Sequence, residues 1–517
     1  MRALLLLSIA TLLTLSAGAQ TQFLHYDCLS HNEDSALELA PFADEGQESL
    51  SKSLSSLRSH RSTKSRLPSI RNDWDSTRVY PVCVLLLSFT DRQFSSDDPQ
   101  DFYQRIFNEA GYNEGRGPGC VADYFVDQSG GFFHPRFDIY GPITLPVASN
   151  VNEQGGSSLI RQGLQMLYDS LAIDFSPYDW DGDGRAEHVV GICAGYGGNE
   201  VATEGKGYIW PTTGSFSALT LGGVRLSGYS LSAELWSNNR SCGIGTICHE
   251  YSHTLGLPDI YPTNDGEYSV CDEWDLMDGG NFINNGWCPP SYTAHERMLM
   301  GWFTPEELTD TCDITALQPI AEGGKAYIIR TANPDEFFLL ENRQWRGWDL
   351  RTPGHGLLIA HVDYKASAWS GNTVNNDPAH HRYDYVHADN LGYSQWAARI
   401  PSDENPRVGG HNRILSTTPY PIINDSLTVD ALTDATTPAA TTFVEPGLLS
   451  RPITNIREDE QGLVSFSFLR EVSSAIAALR NDNVHSGADV YYDLQGRPHR
   501  APLAPGIYIH NGRKLKK

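Results

Sequence analysis

Cys248-His249-Glu250-Tyr251-Ser252-His253-Thr254-Leu255-Gly256-Leu257-Pro258-Asp259 is the stretch from which the rest of this 517-residue chain is best read. It has the form H-E-x-x-H-x-x-G-x-x-D. Two histidines four residues apart on a helix lie on one face, about one turn from each other. Both imidazoles therefore reach a single metal ion. Glu250 directly follows the first histidine and points off that axis. It is near enough to take a proton from water at the metal and too poorly aimed to be a ligand. Two nitrogens that fix zinc, beside a carboxylate that acts as general base, form the division of labour of metal-assisted hydrolysis.

Ile244, Ile247, Cys248, Tyr251 and Leu255 recur at helical spacing and predict a helix with an apolar face, N-capped by Ser241. Gly256 predicts its stop, because a residue without a Cβ enters the left-handed conformation freely. Asp259, just past that turn, is the expected third ligand. The arrangement is similar to that of the metzincins, with Asp in place of the usual third His. Eighteen residues beyond Asp259 stands Met277, within Trp274-Asp275-Leu276-Met277-Asp278-Gly279-Gly280. This resembles a Met-turn, which implies a thioether beneath the histidine ligands. A glutamate ligand from downstream, Glu273 or Glu296, would imply another clan, and the Asp259 spacing and Met277 argue against it.

Further blocks extend the likeness. They are Leu86-Leu87-Ser88-Phe89-Thr90-Asp91, Asp123-Tyr124-Phe125 with Gln128-Ser129-Gly130-Gly131, and Tyr178-Asp179-Trp180-Asp181-Gly182-Asp183-Gly184. Ala194-Gly195-Tyr196-Gly197, Ile209-Trp210-Pro211, Leu299-Met300-Gly301-Trp302, Leu340-Glu341-Asn342-Arg343 and Pro353-Gly354-His355-Gly356-Leu357-Leu358-Ile359 follow in order. From about Val82 to about Asp363 the chain resembles the M6, or immune inhibitor A-like, family of secreted bacterial metalloproteases. The resemblance implies a zymogen-derived, zinc-dependent endopeptidase that hydrolyses peptide bonds of proteins. Zn2+ would lie on His249, His253 and Asp259, with Glu250 as general base and Met277 as the structural Met-turn. Thr212 stands where the family often has His after Trp-Pro.

Composition agrees with an exported globular protein. Hydrophobic residues make up 40% and charged residues 20%, and the length allows roughly two to four domains. A net charge of −25 argues against nucleic acid and anionic membrane as partners. Residues 1–19 read as a signal peptide: Arg2, an apolar run from Ala3 to Leu15, then Ala17-Gly18-Ala19. That run is too short to span a membrane and no later stretch is longer, so a secreted or cell-surface protein without a transmembrane segment is expected. The nine cysteines are odd in number and match no small-domain framework. Cys83, Cys193 and Cys248 read as small buried hydrophobes, whereas Cys271 and Cys288 bracket the Met-turn loop and invite a bridge.

Taken in order, residues 20–72 read as a propeptide that ends in a basic, protease-accessible linker around Arg58, Arg61, Lys64 and Arg66. Residues 73–310 read as an α/β metzincin-like catalytic domain. Apolar strands at Val79 to Phe89, Phe137 to Ile143 and His188 to Ala194 alternate there with helices at Asp101 to Ala110, Val121 to Asp127 and Ser158 to Ile173. A further helix over Ala294 to Trp302 would support the Met-turn. Residues 311–470 read as a β-sandwich-like domain from short β-branched runs between Gly, Pro and Asn. His355, His361, His380 and His381 fall there without ligand spacing, so structural or surface roles are favoured over a second metal site. Residues 471–517 carry two short strands with Gly turns and a basic end. They resemble the C-terminal sorting signals of Bacteroidetes proteins exported by the type IX system, which implies outer-membrane secretion machinery as a partner.

Asp179-Trp180-Asp181-Gly182-Asp183-Gly184-Arg185-Ala186-Glu187 is the second metal candidate. Carboxylates at alternate positions with a permissive glycine wrap a hard cation in oxygens. Asp179, Asp181, Asp183, the Arg185 carbonyl and Glu187 are the expected Ca2+ ligands, and a bidentate acid at the twelfth position is missing. Two other function classes compete with the peptidase: a surface binding or adhesion protein on a peptidase scaffold, and a zinc hydrolase of non-peptide substrates, which H-E-x-x-H alone does not exclude. The first needs a missing ligand or base, and none is missing.

Overall fold

A strand that is apolar on both faces needs cover on both sides, and Val79–Ser88, VYPVCVLLLS, is such a strand. In the computed structural model its Val82, Val84 and Leu86 enter one core while Cys83, Leu85 and Leu87 enter another. The structure describes residues 67–71, 73–149, 155–198, 209–236, 239–264, 269–392, 415–424 and 427–470, and strands between 490 and 516. The expected signal peptide and most of the expected propeptide lie outside the described residues.

The first sheet has five strands: β1 (Val79–Ser88), β2 (His134–Thr144), β3 (Arg185–Tyr196), β4 (Thr212–Leu221) and β5 (Val224–Leu235), in the order β2-β1-β3-β5-β4. The first four in that order run parallel, and β4 closes the edge antiparallel to β5. Helices α1 (Pro99–Asn108), α2 (Val121–Gln128) and α4 (Gly245–Thr254) share the core on one face. Helix α3 (Gly155–Leu171) covers the other with Leu159, Ile160, Leu164 and Leu167. The β4–β5 hairpin was not foreseen. Its signal is Gly222-Gly223, whose φ values of 59° and 87° suit a two-residue turn between antiparallel strands.

After α5 (Ala294–Leu299) come β6 (Glu306–Glu307), β7 (Cys312–Leu317), β8 (Ala326–Arg330), β9 (Glu336–Arg343), β10 (Gly356–Asp363), α6 (Ala366–Ser370) and β11 (Tyr383–Tyr385). A second five-stranded sheet has the order β11-β10-β9-β8-β6. It too is apolar on both faces. Phe337, Leu339, Leu358 and Val362 join the core that holds α4. Phe338, Leu340, Leu357 and Ile359 form a third core with β7 and with β14 (Ile453–Glu458) and β15 (Val464–Phe468). A small hairpin of β12 (Ile422–Ile423) and β13 (Thr428–Val429) precedes them. The chain is thus mixed α/β with several sheets, and the second sheet is a wall common to two cores. Within that wall Arg343 is fully buried between Glu341 at 3.0 Å and Asp349 at 3.2 Å, and donates to the Trp274 and Ser291 carbonyls. The Leu340-Glu341-Asn342-Arg343 block therefore pins the loop that carries Met277.

The segment after Arg470 is a separate unit. It contains β16 (Val490–Asp493), β17 (Pro498–Arg500), β18 (Ile507–His510) and β19 (Arg513–Lys516), an antiparallel sheet of order β17-β16-β18-β19. Four strands stand where the sequence reading expected two. No helix among the described residues is long and apolar enough to cross a membrane. Cys271 and Cys288 are both buried free thiols, so the expected bridge is corrected; the Cys288 thiol meets the Trp348 carbonyl at 3.6 Å.

Candidate metal centre

Helix α4 is buried along its whole length. It begins at Gly245 rather than after Ser241, whose hydroxyl accepts only the Gly243 N–H at 3.3 Å. Packing decides that start. Gly243 is left-handed, and a Cβ on Gly245 would sit 2.1 Å from the Asn281 carbonyl, so the entry is fixed by the loop above it. The helix stops at the expected glycine. Gly256 has φ of 106°, and Ile70 crosses so closely that a Cβ there would lie 2.8 Å from its Cγ1.

His249, His253 and Asp259 come together in this interior. Nδ1 of His249 donates to the Leu276 carbonyl at 2.8 Å, and Nδ1 of His253 to the Leu257 carbonyl at 2.7 Å. A carbonyl only accepts, so in the neutral rings the proton sits on Nδ1 and the lone pair on Nε2. Those Nε2 atoms lie 3.3 and 3.1 Å from Oδ1 of Asp259. Ligand bonds of about 2.0–2.1 Å at tetrahedral angles put neighbouring donors about 3.3 Å apart. The donor set, two imidazoles and one carboxylate oxygen, also suits zinc. The group fits the ion that the sequence implies.

Glu250 is buried beside this group. The Thr213 hydroxyl lies 2.9 Å from its Oε2 and 2.7 Å from its main-chain carbonyl. Thr213 comes from β4, the edge strand, so the sheet edge and the carboxylate are adjacent. Met277 is fully buried, and its carbonyl accepts the Ile260 N–H at 2.9 Å. The residue before it supplies the carbonyl that orients His249. Asp278 secures the same loop by accepting the N–H groups of Val270, Cys271 and Asp272 at 2.9–3.0 Å. Glu296 instead caps α5 through Thr293, and burial pushes its carboxyl up to about 7. Neither Glu273 nor Glu296 belongs to the converging group.

Sequence reasoning missed Asn372. It lies just past α6, donates from Nδ2 to Asp259 Oδ2 at 2.7 Å, and accepts the Asp259 N–H on Oδ1 at 2.6 Å. Thr213 and Arg71 were also missed. None of the three carries a local motif.

In the acidic loop, Asp179, Asp181 and Glu187 bring carboxylate oxygens within 4.8 Å of one another. Asp179 accepts the N–H groups of Gly182, Asp183 and Gly184. Asp183 accepts the Arg185 N–H at 2.9 Å. A counter-charge comes from far upstream: Arg71 reaches Asp181 at 3.0 Å and Glu187 at 3.4 Å. Burial pushes Glu187 up to about 7, against the Trp180 N–H and Arg71. Burial holds the neighbouring His188 down at about 3. A cavity of about 850 Å³ lies between this loop, the 67–74 segment, Thr213 and Thr254.

The four histidines of the second half each meet a carboxylate of their own. His355 pairs with Glu458 at 2.7 Å, His361 with Glu336 at 2.8 Å, His380 with Asp363 at 2.7 Å and His381 with Asp384 at 2.9 Å.

Residues 222–298 match the family described as "Immune inhibitor A peptidase M6, catalytic domain". That span runs from the β4–β5 turn to α5 and contains His249, Glu250, His253, Asp259 and Met277. A curated relative, Immune inhibitor A of Bacillus thuringiensis subsp. alesti, is 24% identical over 270 residues, covering 42% of this chain and 39% of the relative. The match thus takes in less than half of the relative's length. Over the segment that holds the buried histidines, the chain is similar to the catalytic domain of M6 peptidases, and this likeness supports a peptidase.

Proposed function

We propose that the chain is an exported, zinc-dependent endopeptidase with a metzincin-like catalytic region. The observation that carries this reading is the convergence of the two Nε2 atoms and Asp259 Oδ1, with the histidines on a helix whose Glu250 is also buried. His249, His253 and Asp259 would hold the zinc, which when bound would supply Lewis acidity toward a substrate carbonyl and lower the pKa of water there. Glu250 takes the proton from the attacking water on its carboxylate and returns it to the leaving amide nitrogen. Thr213 holds one oxygen of that carboxylate, which leaves the other to do the transfer. The leucine carbonyls at 257 and 276 keep both rings in the ligating tautomer. Among the described residues β4 is an edge strand, and its Thr213 meets Glu250; an extended peptide can add there as a further strand, which favours a peptide substrate over a small ester or amide. The test is a peptide-library digest by purified protein, with chelator and after zinc is restored. Cleavage that persists undiminished in excess chelator would remove the metal from the reading.

The acidic loop is read as a modest calcium site built from Asp179, Asp181, Asp183, Glu187 and the Arg185 carbonyl, with Arg71 as the competing cation. Calcium at ten times its Kd should stabilise the zinc-loaded protein by about 1.4 kcal/mol, a rise of a few degrees in the unfolding midpoint. Arg71→Ala should enlarge that rise. Midpoints that do not move with calcium in either protein would dismiss the site.

The 67–71 segment belongs to the folded unit. Leu67 N–H donates to the Ser370 carbonyl at 3.1 Å, Ile70 lies on Gly256, and Arg71 is held by Asp181 and Glu187. Removal of a propeptide is therefore expected before Leu67, after Arg58, Arg61, Lys64 or Arg66. N-terminal sequencing of active protein checks this; a start at Asn72 or later would contradict it.

A further inference from the structure

We propose that Asn372 is a positioning residue that turns Asp259 into a one-oxygen metal ligand. The inference rests on the reading of His249, His253 and Asp259 as a metal centre. Asp259 is fully buried, and its two carboxylate oxygens have different environments. Oδ2 accepts from Asn372 Nδ2 at 2.7 Å, whereas Oδ1 faces both histidine Nε2 atoms at 3.1–3.3 Å. The same amide accepts the Asp259 main-chain N–H on Oδ1 at 2.6 Å. That second bond fixes which way the amide points, since an N–H needs an acceptor. The aspartate is therefore held at its backbone and at one oxygen by a single side chain. Its carboxylate cannot rotate to offer both oxygens without breaking the Nδ2 bond.

The clamp is itself braced. Asn372 has φ of 55°, a left-handed conformation that asparagine tolerates better than most residues. Its carbonyl accepts the Thr263 hydroxyl at 2.6 Å, and its N–H donates to the Trp369 carbonyl at 3.1 Å. Asn375 donates to the Ile260 and Tyr383 carbonyls, both at 2.8 Å. Asn376 accepts the Thr263 N–H at 2.6 Å. Three asparagines from one turn thus hold the 259–263 segment, and Asn372 alone among them touches Asp259.

The side-chain chemistry at 372 is specific. Aspartate there would set a second carboxylate against Oδ2 in a buried place, which repels. Alanine would leave Oδ2 and the Asp259 N–H without this partner. Serine would restore one bond at most. Partners that orient a metal ligand typically carry about 10–100-fold of metal affinity.

The experiment measures zinc affinity by competition with a chromophoric chelator, and the visible spectrum of the cobalt-substituted protein, for the parent and for Asn372→Ala, Asn372→Ser, Asn372→Asp and Asn376→Ala. Circular dichroism of each metal-free variant reports folding. Expected are a loss of about 10–100-fold in zinc affinity for Asn372→Ala, a smaller loss for Asn372→Ser, the largest for Asn372→Asp, and an altered cobalt spectrum. Asn376→Ala, which loosens the same segment without touching Asp259, should lower the unfolding midpoint and leave zinc affinity within about twofold of the parent. Equal losses from Asn376→Ala and Asn372→Ala would reduce the effect to loop stability and overturn the proposal. Parent-like affinity and spectrum in folded Asn372→Ala would overturn it while leaving the metal centre standing. A parent that binds no zinc would instead overturn the underlying functional reading. If the alanine variant does not fold, the graded Asn372→Ser result decides between the same outcomes.

Discussion

Glu250→Ala protein should bind zinc as tightly as the parent and cleave casein about 10²–10⁴-fold more slowly. The expectation follows from the separation of the two roles. The three donor atoms that converge are Nε2, Nε2 and Oδ1, and Glu250 is not among them. Its carboxylate is instead fixed from the side by Thr213 at 2.9 Å. Its removal should therefore leave metal affinity and fold nearly unchanged while it takes away the group that accepts and returns the proton. Glu250→Gln keeps the shape and an acceptor for Thr213, yet an amide is no base, so it should be as inactive as the alanine variant. Turnover within threefold of the parent in either variant would refute the role assigned to Glu250.

His253→Ala should fail in a different way, by losing the metal. His253 is fully buried, with one nitrogen held by Leu257 and the other directed at Asp259. Its loss would remove one of the three proposed donors and leave the Leu257 carbonyl without that N–H, a structural cost of about 1–3 kcal/mol. A second cost adds to it. Zinc present at a thousandfold over its Kd stabilises the folded state by about 4 kcal/mol, and that linkage disappears with the site. The two parts separate experimentally. The midpoint of the parent should fall on chelation, whereas that of His253→Ala should respond little to either chelator or zinc. Metal analysis should find about one zinc per parent chain and close to none in the variant. Stoichiometric zinc in His253→Ala would rule out the ligand assignment.

How much of this was legible in the sequence depended on the range of each interaction. The convergence of His249, His253 and Asp259 could be read because a helix and its stop place side chains at fixed short spacings. The start of that helix could not: Ser241 offered a local cap, but the close approach of Gly243 and Gly245 to residues 281–286 overrode it. The burial of β1 on two faces was legible from its unbroken apolar run. The β4–β5 hairpin was overlooked although Gly222-Gly223 signalled it, because the polar residues of TTGSFSALTL mask the strand. Thr213, Arg71 and Asn372 were beyond reach. Each meets its partner only in the folded chain, at separations of 37, 110 and 113 residues. A terminal unit of four strands was read as two because its short strands carry little periodic signal.

The wall shared by two cores has a consequence for the order in which the protein comes into being. Both histidines and Glu250 have been synthesised by residue 254, and the sheet beneath them is complete by then. The other side of the core around α4 is contributed by Phe337, Leu339, Leu358 and Tyr383, and Asp259 meets its clamp only when Asn372 arrives, 113 residues later. At about 5–20 residues per second, roughly 6–23 seconds of synthesis separate Asp259 from Asn372. The core around α4 therefore cannot be complete before Tyr383 has been made, although every residue of the helix itself is present by residue 254.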